Sequence, residues 1–240
     1  MASLAVAASA TIAVEAWSAA RRHRLAAERA LRDHAGSAAL GFRERVIARL
    51  YYAVDVILRP VDPVDPAWSD DSLPPPVALQ RAAELAGRCP QCGRPLHPTL
   101  SFRLTLADSS LDLEGQPLSP VRRGDLTARL AALAASSPPR WYTSFIDTLA
   151  PAPEMIYLTV LHGPGERPRA VYGFAVALSS LVETMLRPVL DDLVLLPLAV
   201  PGNLSNDSLL SVTLVEPQGS RALELSPRRH PDAYAASIHG

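Results

Sequence analysis

The chain has 240 residues, enough for one ordinary domain with appendages and for a real buried core. Its 23 basic and 24 acidic side chains leave a net charge of -1, which removes the many-phosphate electrostatics that nucleic-acid binding rests on. Every basic residue except the histidines is arginine, which fits a GC-rich genome, and a hydrophobic share of 48% argues against disorder.

Residues 1–20 are almost uninterrupted in apolar and small side chains, close to the roughly 20 residues that cross a bilayer. The expectation is a transmembrane helix, with Trp17 near one end and Arg21, Arg22, His23 and Arg24 stopping it. Two other readings stay open. A cleaved leader lacks a positive residue ahead of the apolar run, and a soluble alanine-rich helix accommodates Glu15.

Residues 21–59 read as a long amphipathic helix. Arg21–Leu58 holds no proline, and Phe42, Val46, Leu50 and Val54 recur every four residues, with Ile47, Ile57 and Leu58 broadening the face. Glu28 and Arg32 stand at i,i+4 spacing. Arg59–Pro60 ends the helix, because proline cannot continue it.

Residues 60–99 form a proline-rich linker. Asp62, Asp65, Asp70 and Asp71 lack the glycine and terminal glutamate of a calcium loop and read as solvated chain. A short helix, Val77–Gly87, closes on Gly87 as its C-cap. Cys89 and Cys92, the only 2 cysteines, stand at C-x-x-C spacing. A local disulfide, a partial zinc site with His97 as a third ligand, and free thiols all remain open. Gly93 after Cys92 rules out a c-type haem attachment.

Within residues 100–227, Leu100–Leu106 alternates as a strand, Ser109–Pro120 gives a turn, and Gly124–Ser136 is a helix with Asp125 near its start. Arg140–Asp147 begins the next strand. Met155–His162 and Arg169–Leu178 read as a hairpin, as do Leu209–Val215 and Ser220–Leu225, with a helical connection between the two. The sum is an α+β fold: an N-terminal membrane helix continuing into the long amphipathic helix, then a small antiparallel sheet with flanking helices and a crossover. Residues 228–240 are a tail.

Catalytic signatures are absent from the sequence: there is no G-x-S-x-G elbow, H-E-x-x-H pair or Walker loop. The histidines are scattered without metal spacing, His162 reads as a turn residue, and Asp191–Asp192 as a solvated helix end. No catalytic residue and no cofactor is expected. Arg140, Trp141 and Tyr142 on one strand, with Tyr157 and Tyr172 on the next two, suit a mostly apolar ligand pocket with a few placed donors. The competing reading packs these aromatics into the core.

The order of elements resembles the PAS/Cache-like sensory region of bacterial sensor histidine kinases. Ala26–Tyr51 is similar to the helix that follows their first span, Pro168–Leu181 to their central strand, and Asn206–Pro227 to their last hairpin. The resemblance implies a membrane-anchored sensor of a two-component system at the bacterial inner membrane, with its sensor domain extracytoplasmic. It also implies a homodimer formed through the N-terminal helix, a small-molecule ligand and no nucleic acid. No phosphoacceptor or ATP-lid motif is present, so no kinase chemistry transfers to any residue. A tethered scaffold or stand-alone binding protein is the alternative.

Overall fold

The computed structural model describes residues 2–61, 73–88, 96–136, 142–147, 149–163, 167–192, 212–215 and 221–225. Its contacts divide the chain into two compact units, Met1–Arg45 with Leu190–Gly240, and Val46–Val189.

Helix α1 (Ala2–Leu58) runs unbroken through both expected N-terminal segments. It passes into a 3-10 turn, Arg59–Val61, at the proline that forbids continuation. From Val14 to Gly41 its side chains are exposed or half-exposed, whereas Phe42, Val54, Ile57 and Leu58 are buried, as the four-residue periodicity predicts. Glu28 takes its i,i+4 partner from the preceding turn, accepting from Arg24 Nε at 2.9 Å. No helix among the described residues is long and apolar enough to cross a membrane. The span expected over residues 1–20 is therefore not supported: alanine and serine dilute the larger apolar residues, and Glu15 interrupts them.

Helix α2 (Val77–Gly87) lies where the linker was expected to be briefly helical. Its end does not use a left-handed glycine, since Arg88 caps it in right-handed geometry. Strands β1 (Leu100–Thr105), β2 (Ser110–Gly115), β3 (Thr143–Asp147), β4 (Glu154–His162) and β5 (Pro168–Ala177) form one sheet in the order β2-β1-β5-β4-β3. Every pairing is antiparallel, as expected of the sheet. Strand β2 falls in the stretch assigned to a turn. Its Leu111 and Leu113 alternate with Asp112 and Glu114, and the hairpin closes with Ser109 at φ 55 while Asp108 Oδ1 accepts from Ser110 N at 3.0 Å.

Helix α3 (Pro120–Ser136) starts four residues before the expected Gly124. Ser119 caps it, its Oγ accepting from Arg122 N at 3.3 Å, and proline fits the first helical position because its missing N–H has no helical partner there. Leu126, Leu130 and Ala134 recur every four residues and lie buried against Leu100, Phe102, Ile156 and Leu158 on one sheet face. Gly173 sits opposite Phe102 on that face. A Cβ there would run into the Phe102 ring and the Tyr157 carbonyl, so glycine is what lets the ring lie across β5.

The other face carries Tyr157, Tyr172, Phe174 and Val176 against Val54, Ile57 and Leu58 of α1 and Leu79 of α2. Central strand β5 is buried on both faces, which explains its continuous apolar run. Beyond it, α4 (Leu178–Leu181), a π-helical turn (Val182–Leu186) and α5 (Arg187–Asp192) follow. Arg187 N reaches back five residues to Val182 O. Pro188 lies immediately downstream, where it removes a helical donor and crowds the carbonyl four residues back, and the wider turn absorbs that misfit. Strands β6 (Val212–Val215) and β7 (Arg221–Leu225) pair as the expected terminal hairpin. They make their own two-stranded sheet rather than joining the larger one.

Candidate functional site

Alternation along the strands decides which side chains share the helix-covered face. Tyr157 on β4 stands opposite Phe174 on β5, which in turn stands opposite Ser101 on β1. Tyr172 lies two residues from Phe174 on the same face. Tyr142 immediately precedes β3, and Tyr51 comes from α1.

Four rings form a column from the surface to the core. Tyr51 and Tyr142 have centroids 5.0 Å apart, Tyr142 and Tyr157 meet edge to face at 6.4 Å, and Tyr157 and Phe174 stand 5.4 Å apart. Tyr51 is 54% exposed, Tyr142 is half-buried and Tyr157 is 1% exposed. The Tyr157 hydroxyl has no hydrogen-bond partner among the described residues, and neither does buried Ser101 Oγ. Burial pushes the Tyr157 phenol pKa well up. The Tyr142 phenol is raised too, by burial and then by the neighbouring Tyr51 phenol to which it is hydrogen-bonded.

Tyr172 is placed differently. Its hydroxyl donates to Pro74 O at 3.0 Å. Arg103 donates to Leu73 O and Pro74 O at 2.8 and 3.1 Å, and to Asp112 Oδ2 from Nε at 3.0 Å. Tyr172 and Arg103 together pin the segment ahead of α2 across the sheet. Burial pushes the Tyr172 phenol up to about 12, with its hydrogen bond to Arg103 pulling the other way.

Of the five residues expected to line a pocket, the structure brings Tyr142 and Tyr157 into contact and sets Tyr172 on the same face in a bonded role. Arg140 and Trp141 lie outside the described residues, as do Cys89, Cys92 and the four linker aspartates. Among the described residues no three metal-binding side chains gather.

Sequence reasoning missed a buried ionic cluster on the α3 face. Arg122 donates from Nε to Asp147 Oδ2 at 2.7 Å and from Nη2 to Glu154 Oε2. Thr99 Oγ1 donates to Glu154 Oε1 at 2.8 Å, and Leu149 N to Asp147 Oδ1 at 2.9 Å. All three charged residues are 4% exposed. Burial works against the Arg122 charge, but the hydrogen bonds to the two carboxylates outweigh it and raise its pKa. Asp147 and Glu154 face each other across β3 and β4, so the guanidinium neutralises a like-charge pair. With every member satisfied, the cluster reads as a clamp of α3 onto the hairpin.

A cleft of 330 Å³ between α3 and β3 is lined by Arg129, Ala132, Leu133, Ser136, Ser144 and Phe145. It is largely apolar, and Arg129 is already engaged with Asp125 at 2.8 Å. Compared with known proteins, the chain matches no family model and no curated protein.

Proposed function

We propose that the chain is a signal-sensing module in which a small molecule acts at the seam between the sheet and the C-terminal part of α1. The ligand would bias two packings of that helix on the sheet, and helix displacement would be the output. The observation that carries this is the Tyr157 hydroxyl, buried without a partner inside the aromatic column that joins α1 to β5. A buried polar group left unpaired costs free energy, which a ligand bringing the missing partner recovers.

Under this reading the antiparallel sheet with helices on both faces is a PAS/Cache-like sensor fold. The two-component histidine kinase context, the inner-membrane anchor and the homodimer through the N-terminal helix rest on the resemblance of residues 26–51, 168–181 and 206–227. A second reading, a scaffold that docks through the N-terminal helix, draws on exposed Trp17, Leu25 and Leu40.

The test is a small-molecule thermal-shift screen followed by hydrogen exchange on each hit. A hit is expected to raise Tm and to change exchange within residues 46–58. Hits that leave those residues unaffected would reduce the protein to a plain binder, and the absence of any hit would count against ligand sensing.

A further inference from the structure

Tyr142 is the one ring of the aromatic column that belongs to no helix or strand. It lies just outside the ladder that holds β3, whose pairing begins at Thr143 opposite Leu158. Its half-buried ring stands between the rings of Tyr51 and Tyr157. Were that ring to swing into solvent, it would leave room for one aromatic ring in a slot beside Tyr157.

The slot's chemistry follows from its walls. Its floor offers a phenol hydroxyl, a stronger donor than acceptor, with no acceptor for its proton among the described residues. Ser101 Oγ, in the same cross-strand row, is a second hydroxyl left without an acceptor. The packed side chains around Tyr157 and Phe174 are apolar, including Met185 and Val176. On this sheet face the Arg103 and Asp112 charges are already committed to each other. An ionised ligand on this face would therefore be buried without a counter-charge among the described residues, at a cost that one hydrogen bond does not offset.

We infer that the seam takes an uncharged, flat aromatic molecule carrying a hydrogen-bond acceptor, which replaces the ring of Tyr142 and receives the hydrogen bond of Tyr157. This rests on the sensing role proposed above and adds the ligand class, the entry point and the recognising atom. Closure of the Tyr51 ring over the guest ties its presence to the position of α1.

Three probes of equal ring size separate the alternatives: acetophenone, toluene and benzoate. The full chain and its Tyr157→Phe variant are melted with each probe at millimolar concentration. Acetophenone is expected to raise the Tm of the native chain by several degrees through mass action and to lose most of that shift in the variant. Toluene should act equally on both proteins, and benzoate on neither. The variant keeps the ring and removes only an unbonded oxygen, so it folds. No acetophenone shift in the native chain, an equal shift in the variant, or a benzoate shift as large would each overturn the inference. If acetophenone fails while a charged hit from the screen alters exchange in residues 46–58, the ligand class falls and the sensing role stands.

Discussion

At the scale of single residues, two groups of buried polar atoms sit on opposite faces of one sheet, and they behave oppositely. The Arg122 cluster is fully bonded. Replacing Arg122 by Met strands two facing carboxylates in the core and is expected to cost about 3–5 kcal/mol in urea unfolding. Adding Asp147→Asn and Glu154→Gln in the same chain should recover part of the loss; no recovery would mean that the arginine matters for packing alone. Tyr172 carries a pH dependence. Its phenol is held up to about 12 against an ordinary 10.0, so the folded protein keeps that proton longer than the unfolded chain does. The stabilisation is complete below pH 10, the unfolded value, and is lost as pH rises through about 12. Urea midpoints on either side of that window should fall in the native chain and fall less in Tyr172→Phe. The tyrosines themselves were legible in the sequence, because an aromatic on an alternating strand announces its face. The Arg122 cluster was not, since its bonded partners lie 25 and 32 residues away and no local spacing records them.

At the scale of elements, α1 has two halves of different energetic weight. Ile57 is 1% exposed and packs on the sheet, whereas Leu25 is 44% exposed. Ile57→Ala is expected to cost about 2–5 kcal/mol, and Leu25→Ala to stay within about 0.5 kcal/mol, both by chemical denaturation. Equal effects would mean that the periodicity of residues 42–58 does not mark the packed face. Helices and strands are legible where a periodic or continuous apolar run is long, as in the second half of α1 and in β4 and β5. They were read poorly where composition contradicted pattern. Asp112, Glu114 and Gly115 disguised β2 as a turn, although Leu111 and Leu113 kept the period of two. Gly124 hid the true start of α3, although Ser119 and Pro120 spelled it out.

At the scale of the whole molecule, the unit Val46–Val189 contains the sheet, both of its cores and the last turns of α1. A fragment of residues 46–189 is expected to fold alone and melt in one cooperative transition by circular dichroism, as a body with its own core should. A broad, non-cooperative melt would show that the division by contacts is not a division in stability. The sheet's membership could not be read from sequence for a related reason. The strands that flank β4 and β5 are β3 and β1, while β6 and β7 pair with each other and, among the described residues, with no other strand, and nothing in their sequence declares that preference. The clamp of α3 onto the β3–β4 hairpin has a consequence for descent. Arg122, Asp147 and Glu154 come from three elements, yet losing the arginine alone is costly, while an apolar trio in their place would be tolerated. Lineages diverging from this chain would therefore be expected to keep all three residues or exchange all three, so that the trio passes between generations as a single inherited character.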